Sequence, residues 1–168
     1  MIPPTVYPPE TTLADLRTAE LLLVMTLRLF VLPGRVPETR HPDWRNGLRA
    51  AFVASEAEAA FDGLFRIVAA ARHRPIDVRP PPCAALGLEE GRLLQIVSLF
   101  QHGRPDAAIA TLGDWLPPAA QRLATAPAEV LSATLFQAGL VVPWRRTDVG
   151  QAVAGHELRA NPGLVLVQ

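Results

Sequence analysis

The chain contains no lysine: all 16 of its basic residues are arginine, and 16 acidic residues oppose them, so the formal net charge is zero. That balance removes the broad electrostatic attraction on which non-specific binding to nucleic acid or to an acidic membrane depends. The arginine bias accompanies abundant alanine and proline and is explained by a GC-rich coding sequence before any selected need for guanidinium chemistry. Cysteine is nearly absent as well. Cys83 stands alone and cannot form an internal disulfide, which fits a reducing compartment. Residues Met1 to Thr5 lack the charged start and apolar run of a secretory signal, so cytoplasm is the expected location.

Long hydrophobic runs are missing too. The greasiest stretch, Leu21 to Leu32, is too short to cross a hydrocarbon layer about 30 Å thick and carries Arg28 within it. It reads as a buried helix, and no membrane association is expected.

Most chemical signatures are absent in a specific way. No two of His41, His73, His102, His156 and Cys83 fall at the short spacings that place two metal ligands on one helix turn or one knuckle, so no metal is expected. No Gly-x-Ser-x-Gly elbow presents a nucleophile, and Cys83, just ahead of a helix, is read as a quiet, partly buried thiol. No glycine-rich loop follows a strand, and strands do not alternate with helices, which excludes the dinucleotide and P-loop classes and leaves no cofactor to expect. The helix, turn and helix around Gly103 has the spacing of a DNA reader, yet its second helix opens with Pro105 and Asp106, an acid where phosphates and base edges want Arg, Lys, Asn or Gln. No catalytic residue is assigned.

What is present is an apolar content of 49% over 168 residues, enough for one sizeable core. Helix punctuation recurs throughout. Four prolines within residues 1 to 9 predict an extended arm over residues 1–11. Thr11 or Thr12 is placed to cap a first helix running from about 12 to 32, with Asp15 in its first turn and Pro33 and Gly34 as its stop. Its leucines cover most of its circumference, which predicts a central position. Residues 43 to 73 carry Trp44, Leu48, Phe52, Phe61, Leu64, Phe65 and Val68 near the helical period, with a phase shift around Val53 to Ala57 and a capping box at Ser55 and Glu58. One long helix and two consecutive ones both satisfy that pattern.

Four prolines within 74 to 87 mark a crossing loop, and helices are predicted from Glu89 to His102, from Pro105 to Trp115, from 118 to 125, and from Pro127 to just before Gly139. In the last of these Val130, Leu131, Leu135 and Phe136 are expected inward. Residues 143–168 form an irregular tail whose end, Gly163 to Gln168, suits a short strand or a docked segment. No residues match at a fixed period, so a solenoid is not supported. The fold class is therefore all-α: a single domain, a compact orthogonal bundle of about five to seven helices.

Two groups stand out as binding candidates. Arg28 lies in the apolar half of the first helix, where a buried guanidinium needs a carboxylate or carbonyl partner, and Glu20, Glu56, Glu58 or Asp62 are the expected ones. His41, Arg45 and Arg49, with Arg40 and Trp44, concentrate basic and aromatic groups at a helix start, an arrangement that suits a small anionic ligand or an acidic partner. The leading functional expectation is a non-catalytic interaction or assembly protein acting as a homodimer or with another protein. The alternative is a small-ligand binder or enzyme using Arg28 or the His41 to Arg49 cluster.

Overall fold

In a computed structural model, residues 7–37 and 40–145 are described. The calls on residues 1–6 of the arm and on the tail beyond Arg145, including His156 and the terminal Gly163 to Gln168 segment, lie outside the described residues. Six α-helices follow one another: α1 Thr18–Arg35, α2 Arg45–Ala50, α3 Glu56–Ala71, α4 Leu88–Gln101, α5 Pro105–Leu112 and α6 Pro118–Gln137. No strand occurs among the described residues, and none of their helices is long and apolar enough to cross a membrane.

The start of α1 differs from expectation. The Asp15 carboxylate accepts hydrogen bonds from the Thr12 amide and hydroxyl, both at 2.8 Å, and so closes a 3-10 turn over Leu13–Asp15 rather than opening the helix. Leu16 is extended, and the helix begins afresh with the Glu20 carboxylate accepting from the Arg17 amide at 2.7 Å. At the other end Pro33 does not stop it. In the last turn its missing N–H removes one bond only, and α1 continues to Arg35, with the Val36 amide bonded to the Leu32 carbonyl.

The pattern over 43 to 73 resolves into α2 and α3, and the joint between them is instructive. The Val53 amide bonds the Leu48 carbonyl and the Phe52 amide bonds the Arg49 carbonyl, which is the paired bonding of a Schellman terminus. The same pairing ends α4, where Gly103 has φ 68°, and α6, where Gly139 has φ 76°. At α2 the left-handed position is filled by Phe52, with φ 55° and a side chain 93% exposed. The buried pair Leu48 and Val53 holds this terminus in place against the local strain.

Packing centres on α6 and α4 rather than on α1: α6 makes its most extensive contact with α3, and α4 is the most thoroughly buried helix. Helix α4 lies against α1, α5 and α6, and nine of its residues are buried, among them Leu93, Leu94, Ile96 and Val97. A second centre is aromatic: Phe30, Trp44, Phe61 and Phe65 meet with ring centroids 4.8 to 5.8 Å apart, and Trp115 closes on Phe65 at 6.2 Å. Helix α6 runs unbroken through Pro127, where two helices were expected. Its face of Ala120, Ala124, Ala128, Leu131 and Leu135 is buried, and α3 and α4 pack against the helix, so tertiary packing holds it across the missing hydrogen bond.

Phe52→Gly should raise stability by up to about 1 kcal/mol, the difference between roughly 1–2 kcal/mol of left-handed strain and the roughly 0.5–1 kcal/mol entropic penalty of glycine. Thermal unfolding reads this as an increase of about 2–4 °C in Tm. A decrease would show that the ring carries packing energy.

Candidate interaction face and the buried carboxylates

Arg28 projects from α1 into the interior and is fully buried together with its partner, which is Glu90 on α4 rather than any of the carboxylates expected. Nε and Nη2 bond the two carboxylate oxygens, each at 2.8 Å. Nη2 also donates to the Ala85 carbonyl at 2.8 Å, and Nη1 donates to the carbonyl of Cys83 and, more weakly, to those of Pro80 and Pro81. Glu90 further accepts the amides of Arg79 at 2.9 Å and Gly87 at 2.7 Å. All five guanidinium N–H groups are therefore engaged within the chain. Arg28 organises the proline loop around the start of α4 and has no donor left for a ligand.

Two more carboxylates follow the same pattern at helix starts, where the helix dipole favours negative charge. Glu89 accepts from Arg74 at 2.6 Å, from Arg92 at 2.8 Å and from the Trp115 indole at 2.7 Å, while Arg92 also bonds Asp114 at 3.0 Å. Glu20 accepts from the Tyr7 hydroxyl at 2.6 Å and from Arg145 at 3.0 and 3.1 Å, and the Arg145 guanidinium lies over the Tyr7 ring. Of the carboxylates expected to serve Arg28, Glu20 pairs with Arg145, Glu58 with Arg49 and Asp62 with Arg66.

Burial alone pushes the Glu89 carboxyl up, but hydrogen bonds from Arg74, Trp115 and Arg92 outweigh it and hold the group below the usual carboxylate range. Burial likewise raises Glu20, and the bonds from Arg145, Tyr7 and the Arg17 amide overcome it. Tyr7 is driven well above the ordinary phenol range by desolvation and by the neighbouring Glu20, and so stays a donor.

The cluster at the start of α2 is brought together and neutralises itself. Arg49 bonds both oxygens of Glu58 at 2.7 and 2.9 Å, Arg45 lies over the Trp44 ring and reaches Asp43 at 3.3 Å, and Asp43 stands 3.8 Å from Arg49. His41 turns away to the Val36 carbonyl. Two guanidiniums facing two carboxylates leave little net field for an anion, and the helix behind them has six residues only. No group of three or more His, Cys, Asp or Glu residues among the described ones is placed to hold a metal.

Sequence reasoning missed the outward face of α6. Val130 and Phe136, expected inward, are 44% and 52% exposed, whereas Leu131 and Leu135 are buried as expected. Ala119, Leu123, Ala126, Val130, Ala133 and Gln137 are all exposed and fall at alternating spacings of four and three, the repeat of a coiled-coil seam. Leu123 is 67% exposed. Beside this seam lie Arg122 and Glu129, two turns apart, both exposed and neither in an ion pair with another described residue. The heptad spacing was in the sequence, but dividing the helix at Pro127 hid it. The far end of the seam opens into a groove of about 350 Å³ lined by Phe100, Ala133 and Phe136. Comparison with known protein families, curated proteins and solved structures yields no match, so the fold and this face define the class: a helical bundle in which the outer face of α6 is left uncovered by the described residues.

Glu90→Gln should destabilise the fold by about 3–5 kcal/mol, because it leaves the Arg28 charge buried without its counter-ion. Urea unfolding measures this, and a loss under about 1 kcal/mol would indicate that water reaches the site. Glu20 and Glu89, depressed in the folded state, contribute stability that is complete above the unfolded carboxylate range near pH 4.3 and is lost as pH falls through their folded values. Unfolding free energy should therefore fall on acidification below about pH 5, with a shallower slope in Glu89→Gln.

Proposed function

We propose that this protein is a non-catalytic assembly module that forms a homodimer through the outward face of α6. The observation that carries the reading is the exposed seam of Leu123 and Val130 alternating with alanines, flanked by two unpaired charges of opposite sign. Such a face is self-complementary under a two-fold axis. Antiparallel pairing centred between Ala124 and Thr125 sets Leu123 against the partner's Ala126 and Val130 against the partner's Ala119, so each bulky residue meets a small one. The same register brings Arg122 beside the partner's Glu129, and symmetry repeats every contact.

Alanine at alternate layers permits helix axes near the short end of the usual range of about 8–10 Å. The overlap is some 14 residues, or about 21 Å of helix. A contact of that length suits reversible association at micromolar concentration rather than a permanent complex.

Light scattering at tens of micromolar should give twice the chain mass of 18.2 kDa. Leu123→Glu should return the monomer with unchanged helicity, since that side chain supports no core contact. Arg122→Glu should weaken the dimer, and adding Glu129→Arg should restore it. Restoration by the exchanged pair is specific to the antiparallel register. A wild-type mass near 18.2 kDa throughout would refute the reading.

A further inference from the structure

A second feature stands apart from α6. Between the C-terminal ends of α1 and α3 and the start of the following loop lies a pocket of about 260 Å³. Its apolar lining includes Leu27, Phe30, Phe65, Val68 and Ile76, and the charged residues that line it are Arg35 and Arg72 alone. Both arginines are exposed. Arg35 donates to the Val78 carbonyl and Arg72 to the Ala69 carbonyl, and neither forms an ion pair with another described residue. The buried charges Glu20, Arg28, Glu89, Glu90 and Arg92 all have a counter-charge within the chain, whereas Arg35 and Arg72, at the rim of an apolar pocket, have none among the described residues.

We infer that this pocket binds an unbranched monocarboxylic acid of about eight carbons, its chain on the apolar floor and its carboxylate between Arg35 and Arg72. Size supports the class: at about 30 Å³ per water-sized volume, the pocket holds roughly nine non-hydrogen atoms. Charge supports the anion. The two helix ends contribute about half a negative charge each, and two guanidiniums exceed that by about one positive charge. An apolar cavity with a few convergent polar groups is the usual form of a small-ligand site. The free guanidinium N–H groups offer the forked donors that a carboxylate accepts. The α2 cluster, by contrast, is neutralised by Asp43 and Glu58.

Calorimetric titration with sodium octanoate tests this. Saturable binding with a dissociation constant of about 0.1–1 mM is expected, with butyrate about a hundredfold weaker because four methylenes are lost. 1-Octanol should bind about tenfold more weakly than octanoate, and Arg35→Gln with Arg72→Gln should weaken octanoate by about the same factor while leaving 1-octanol unchanged. Methyl octanoate should behave like the alcohol, which separates a free acid from an acyl ester. Ala69→Phe, an exposed position on the pocket wall, should abolish binding with unaltered circular dichroism. Absence of saturable octanoate binding overturns the proposal, and so does octanoate binding that neither the paired arginine substitution nor Ala69→Phe diminishes. Light scattering of the same variants keeps this outcome distinct from that of the α6 dimer, since none of the pocket residues belongs to α6.

Discussion

The fold hangs on the Arg28 and Glu90 pair. A guanidinium and a carboxylate removed from water lose several kcal/mol of solvation each, a cost met only when geometry is good and every remaining donor and acceptor is bonded. That condition is satisfied by three elements: α1 supplies the cation, α4 the anion, and the loop between α3 and α4 presents the carbonyls of Cys83 and Ala85 and the amide of Arg79. The proline-rich loop has one bonded turn of its own, the Cys83 amide on the Pro80 carbonyl, and otherwise takes its shape from these contacts. Residues 11 to 13 then lay their backbone against it, with the Leu13 amide bonded to the Ala84 carbonyl and the Leu86 amide to the Thr11 carbonyl.

The other buried acids extend that logic. Glu89, next to Glu90, gathers Arg74 from the end of α3, Arg92 from its own helix and Trp115 from the turn after α5. Glu20 joins Tyr7 near one end of the described chain to Arg145 near the other. No buried side-chain polar atom among the described residues lacks a partner. A core so fully satisfied is specified by polar geometry as well as by shape, and it reads as architecture rather than chemistry.

Functional potential therefore lies where groups are unsatisfied or misplaced: on the outer seam of α6, in the arginine-rimmed pocket, and at Phe52, whose ring stands in solvent on a strained backbone. These are properties of surfaces. An exposed Leu123 or an unpaired Arg122 leaves the helical pattern intact, which is why neither stood out among the candidate residues.

Local chemistry was legible in the chain. Prolines opening α5 and α6, glycines at positions 103 and 139, and apolar stripes over α3 and α4 follow from interactions within a few residues, and they placed most helices and the all-α class. Missing motifs likewise argue against nucleotide and groove-reading chemistry. What only the tertiary structure decided concerns long range. Arg28 finds its partner 62 residues away, past nearer carboxylates that neighbouring arginines already hold. Pro127 stays within a helix because α3 and α4 pack against it, and Val130 and Phe136 face outward because Leu131 and Leu135 take the core. Sequence spacing fixes which residues share a face of a helix, but which face turns inward is set by the neighbours that bury it.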